Sequence, residues 1–73
     1  MTRTEELKWV KERALAELEA VGPGNAMGSF TSDVQKCDTL KNDPVITGLM
    51  PIGMRHAFLG EREELKKWIE GFS

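Results

Sequence analysis

The chain has one cysteine, one histidine and no long apolar run, and each shortage removes a class of protein. Cys37 alone cannot close an intrachain disulfide, and without a second thiol there is no cysteine-rich zinc site. Such cysteine usage fits a reducing, cytoplasmic setting. The longest apolar stretch, Val45 to Leu59, is interrupted by Gly48, Pro51, Gly53, Arg55 and His56. It falls short of the roughly 18 residues that a membrane helix needs. The opening Met1-Thr2-Arg3-Thr4-Glu5-Glu6 lacks the basic start, apolar run and small-residue cleavage site of a secretory signal. Positive charge is not in excess either. Ten Lys and Arg against twelve Asp and Glu leave a net charge of −2 and a pI near 5.3, which argues against a phosphate-binding footprint.

What remains is a folded-protein composition, 40% hydrophobic and 30% charged, in a chain of 73 residues that forms one domain, 1–73. Size scaling gives a folded surface of about 4,500 Å² and burial of about 60% of the extended chain's surface. Apolar burial then contributes on the order of 110 kcal/mol, and ordering the chain costs about as much. A lone monomer of this size is marginal, and self-association would add to its stability.

The helical signals begin at once. Thr2 and Glu5 form a capping-box pattern, and Leu7, Val10, Ala14, Leu18 and Val21 follow at spacings of three and four, with Leu15 widening the stripe. Gly22-Pro23-Gly24-Asn25 ends this first helix. Residues 22–29 hold three glycines, a proline and an asparagine and read as an irregular connection. Ser32 with Gln35 repeats the capping-box pattern, predicting a short helix through Val34, Cys37 and Leu40 to about Lys41. Asp43 and Pro44 then suit the cap and first position of another helix. Val45, Ile46, Leu49 and Met50 suit one buried face, although Val45-Ile46-Thr47 would also make a brief strand. Pro51 removes a hydrogen bond from a continuous helix, so two helices are the more economical reading. The second carries Met54, Ala57 and Phe58 beside Ile52 and Leu59, and Gly60 ends it. Leu65, Trp68, Ile69 and Phe72 form the stripe of a last helix, with Glu63 and Lys67 placed to pair. The expected fold is all-α: a compact bundle of four or five helices, long first and last helices framing short central ones and packing over the central apolar segment.

No catalytic, metal or cofactor site is implied. Cys37 and His56 form the one conceivable nucleophile–base pair, but they fall on separate elements. Cys37 shares a face with Val34 and Leu40, as a buried apolar residue does. Arg55 and His56 read as a solvated edge. Adjacent carboxylates such as Glu5-Glu6 and Glu63-Glu64 diverge from their helices, and no Glu-x-x-His pair is present. Gly22, Gly24 and Gly28 lack the strand and the Lys-Ser or Lys-Thr of a phosphate-binding loop.

One feature does not fall on the predicted core. On a wheel of about 100° per residue Trp9 lies opposite Leu7, on the side that carries Ala16 and Ala20, flanked by Arg13. Small residues around a large aromatic make a candidate contact surface, because Trp is enriched at interaction hot spots. Trp9, Ala16, Ala20 and Arg13 are therefore the candidate interface. The expected function is a non-enzymatic protein–protein interaction module: a homodimer, a subunit, or an inhibitor of a larger partner. Neither a membrane nor a small-molecule substrate is implied. The alternative is a helix-turn-helix-like nucleic-acid-binding regulator built from residues 32–72, with Arg55, Arg62, Lys66 and Lys67 as its basic supply.

Overall fold

Thr2 caps the first helix, α1 (Arg3–Ala20), through the expected box: its hydroxyl accepts from the Glu5 backbone N–H, and the Glu5 carboxylate accepts from the Thr2 backbone N–H. This computed structural model describes residues 2–72; Met1 and Ser73 lie outside the described residues. Leu7, Val10, Ala14 and Leu18 are buried along one face of α1 and half-buried Leu15 packs beside them. Val21, at the C-cap, is exposed rather than part of that face.

The glycine-rich segment is the first correction. It is not an irregular connection but the first half of α2 (Pro23–Lys36). Gly22 takes φ +149°, a conformation open to glycine, and Pro23 starts the helix with its φ already suited to it. Gly24 and Gly28 weaken α2 by about 1 kcal/mol each relative to alanine. Burial of Ala26, Met27, Phe30 and Val34 against α1 outweighs that. Ser32 lies inside α2 and caps nothing, and Cys37 ends the helix instead of occupying the middle of one. Cys37 and Leu40 are buried as expected, but on the turn that follows.

Asp43 caps α3 (Pro44–Phe58), its carboxylate accepting from the backbone N–H of Val45 at 2.9 Å and of Ile46 at 3.3 Å. Pro44 holds the first helical position. Pro51 does not divide this helix; α3 runs through it. Residues on both sides of the proline, Ile46 and Met50 before it and Gly53 and Ala57 after it, must reach the same core, and only one continuous helix aligns them. Gly60, at φ +70°, turns the chain into α4 (Arg62–Glu70). The last helix, of 9 residues, is the shortest of the four, so the expectation of long outer helices framing short central ones holds only for α1.

Polar contacts fix how the helices run. Arg62 reaches the Glu19 carbonyl at 3.2 Å, and the Lys11 ammonium donates to the carbonyls of Glu70 and Phe72 at 3.1 and 2.6 Å, so α4 lies antiparallel on α1. Arg3 pairs with Asp43 at 2.9 Å, joining the start of α1 to the start of α3. Phe30, Trp68 and Phe72 meet in an aromatic cluster with ring centroids 4.8 to 5.5 Å apart. The total surface is 4468 Å², as the size scaling gives. Among the described residues there is no strand.

Candidate interaction surface

The candidate face on α1 is on the surface but engaged within the molecule. Trp9 is 38% exposed, and the Arg13 guanidinium lies 5.1 Å from its ring centroid. Arg13 also donates to the buried Asp33 carboxylate on α2 at 2.8 Å, and Ser29 donates to the same oxygen. Ala16 and Ala20 are exposed beside them. All four predicted residues thus lie at the surface of one helix, but Arg13 spends its charge on α2. The pairing follows from burial: a carboxylate brought into the α1–α2 contact requires a charged partner.

The larger apolar surface is on α3. Ile46 and Gly53 are buried, and Met50 and Ala57 pack partly against the core. Val45 and Leu49, which the spacing assigned to the buried face, instead lie in solvent at 59% and 36% exposure. Ile52, Met54, Phe58 and Leu59 are exposed too, Phe58 almost entirely at 90%. The outer helices therefore cover the central segment only in part: α4 packs on α3 through Trp68 against Gly53, and the exposed side chains lie outside that contact. α3 packs against α2 and α4, and the side turned to them is the one enclosed.

Charge is sparse on this face. Within α3 there is no Asp, Glu or Lys; Arg55 and His56 near its end are the only ionisable side chains. Nδ1 of His56 lies 2.8 Å from the Glu61 carboxylate. By contrast α1 alternates acidic and basic residues along its solvent side. The apolar exposure of α3 escaped periodicity because the helix is apolar on nearly every side, so no stripe stands out. The signal that finds it is the absence of charge from residues 44–54.

Two hollows flank the carboxy-terminal segment. A shallow groove of about 510 Å³ runs between α1 and Phe72, floored by Leu7 and Leu15 and edged by Lys8, Lys11 and Glu12. A smaller one of about 240 Å³ lies between Leu49, Trp68 and Phe72. Neither gathers convergent polar groups of the kind that orient a small substrate. Among the described residues no cluster of His, Cys, Asp and Glu has the arrangement of a metal site. Cys37 is buried, and burial together with the nearby Glu6 carboxylate pushes its thiol pKa up to about 11, away from the thiolate that nucleophilic chemistry requires. No described helix is long and apolar enough to cross a membrane. No family model, curated protein or solved structure matches the chain.

Proposed function

We propose that the chain is a non-enzymatic interaction module that docks another protein surface on the exposed face of α3. The carrying observation is the run of large apolar side chains from Val45 to Leu59 left in solvent on a helix without a carboxylate. Val45, Leu49, Ile52 and Leu59 share one strip of the helix, and Met54 and Phe58 lie on its other side, so apolar side chains stand in solvent on both flanks of the buried row. The Trp9 face is the weaker of the two surfaces, because Arg13 covers the ring and is tied to Asp33.

The nucleic-acid alternative draws less support. A recognition helix reads bases with its first turn, and α4 begins with Glu61, Glu63 and Glu64, which phosphates repel. Arg62 faces Glu19 and Lys67 faces Glu64.

A photo-crosslinking residue placed at Ile52 in the full chain, with one at Lys8 as control, tests the reading in cells. Adducts to a protein, itself or another, are expected at position 52 and not at position 8. No adduct at position 52, or the same adducts at both, overturns it.

A further inference from the structure

The smaller hollow is continuous with the exposed strip of α3. Leu49 belongs to both: it stands between Val45 and Ile52 on that strip and forms one wall of the hollow. Trp68 and Phe72 form the other wall, their rings edge to face at 4.8 Å and both backed by Phe30. Gly71 lines the hollow without a side chain to close it. The walls are therefore set by the aromatic cluster of the core and do not have to be built when something binds. The space, about 240 Å³, is on the scale of one side chain. A closed cavity of about 150 Å³ lined by Leu, Ile and Phe holds a benzene molecule, so a phenylalanine ring or the branched end of a leucine fits. The hollow lacks the polar groups that orient a small substrate, but an anchor carried by a protein needs none, because the rest of the partner orients it.

Charge selects the kind of segment that brings the anchor. Among the described residues that line the hollow, Lys67 alone is ionisable, and α3 has no carboxylate to set beside it. The Lys67 ammonium rests 3.9 Å from the Glu64 carboxylate, both well exposed, a contact that solvent screens and a partner can displace. An apolar anchor flanked by a carboxylate is drawn to this rim, and one flanked by Lys or Arg is repelled.

We infer that this hollow is the anchor pocket of the α3 face: it receives one large apolar side chain of a partner protein, and a carboxylate next to that side chain pairs with Lys67. This rests on the proposed use of the α3 face and names where the partner enters and with what chemistry. Val45 and Ile52, on either side of Leu49 along the strip, then lie beneath the partner and keep water from the anchor.

Two measurements on the full chain test this. The first is a nitrogen-15 NMR titration with N-acetyl-phenylalanine, which carries an apolar ring beside a carboxylate, and with N-acetyl-phenylalaninamide as its uncharged match. N-acetyl-phenylalanine is expected to shift the Gly71 amide and the indole N–H of Trp68, which has no acceptor in the molecule, with a dissociation constant of about 1–10 mM. The amide should bind at least about 3-fold more weakly, and Lys67→Gln should abolish that difference. Leu49→Trp, which sets a larger ring at the mouth, should weaken both probes at least about 5-fold. The second measurement repeats the crosslinking at position 52 in cells: Lys67→Glu should lower the adduct at least about 10-fold, and Lys67→Arg should keep it. Leu49 and Lys67 are both exposed, and circular dichroism confirms that each variant keeps its fold. No shift at Gly71 and Trp68, shifts indifferent to Leu49→Trp, or an adduct indifferent to Lys67→Glu each overturns the anchor pocket. In those cases an adduct that still forms at position 52 leaves the interaction reading standing. No adduct at position 52 in the wild type removes both.

Discussion

The indole of Trp68 occupies the space beside the Cα of Gly53: a Cβ there would stand 2.7 Å from Cη2 and Cζ2 and 2.8 Å from Cζ3. This contact sets how closely α3 approaches α4, and it joins α3 to the aromatic cluster through Phe30 and Phe72. Gly53→Ala must displace a large ring held by two others. It should destabilise the protein by about 1–3 kcal/mol despite alanine's better helix propensity. Gly28→Ala, in the solvent face of α2 with nothing within 4 Å, should stabilise by up to about 1 kcal/mol. Urea unfolding of the two variants is expected to shift the midpoint in opposite directions.

Arg13 has two partners, and its removal should be felt at both. The Asp33 side chain is 3% exposed and Arg13 53%, so the pair is half in solvent. Arg13→Ala leaves a buried carboxylate with Ser29 as its remaining donor and should cost about 1–3 kcal/mol. Adding Asp33→Ala should recover part of that loss, giving a coupling in a double-mutant cycle that distinguishes a true pair from two independent contacts. The fluorescence of Trp9 should change in Arg13→Ala, because the guanidinium leaves its ring.

Acid and alkali should act on different groups. The Asp43 carboxyl is held below its ordinary value by the Arg3 guanidinium and by the backbone N–H groups of Ile46 and Val45. Glu6 is lowered by the Thr39 hydroxyl, and Glu5 by the Thr2 backbone N–H and hydroxyl. Because all three are depressed in the folded state, their contributions are present above the ordinary carboxylate values of 3.8 and 4.5 and are lost as pH falls through the folded ones. Asp43→Asn should flatten the acid limb of stability measured by urea titration between about pH 2 and pH 6.

At the other end, Cys37 is raised from 9.0 to about 11, so the folded state keeps its proton where the unfolded state loses it. Its contribution is present below pH 9.0 and is lost as pH rises through about 11. Cys37→Ala should remove that alkaline loss while lowering stability at neutral pH by the packing of a buried side chain. In the wild type, disulfide-exchange reagents should modify Cys37 only as fast as the protein opens, and urea should accelerate the reaction.

Pro51 deprives Thr47 of its intrahelical donor and stands in solvent. Pro51→Ala restores that hydrogen bond and should stabilise the monomer by roughly 1–3 kcal/mol, seen as a higher urea midpoint. A lower midpoint would mean that the proline's restriction of the unfolded chain outweighs the hydrogen bond it removes.

Elements whose evidence is local were legible in the amino-acid order alone. The Thr2–Glu5 box, the Leu7 to Leu18 stripe, the Asp43–Pro44 start and the Leu65, Trp68, Ile69, Phe72 stripe all appear in place, because a cap needs only its neighbours and an amphipathic stripe needs only one polar side. Packing between helices settled the rest. The glycines of residues 22–29 disfavour a helix locally, and α2 forms there because Ala26, Met27 and Phe30 gain more from burial against α1 than the glycines lose. Pro51 disfavours a continuous helix locally, and α3 continues through it because the core needs residues from both sides. A helix apolar almost all round carries no mark of which side faces inward. Only the placement of its neighbours turned Ile46 and Gly53 to the core and left Val45, Leu49 and Ile52 outside. The expectation of a contact surface came from the sequence, through Trp9. The larger apolar surface depends on what α1, α2 and α4 leave uncovered, which no single segment encodes.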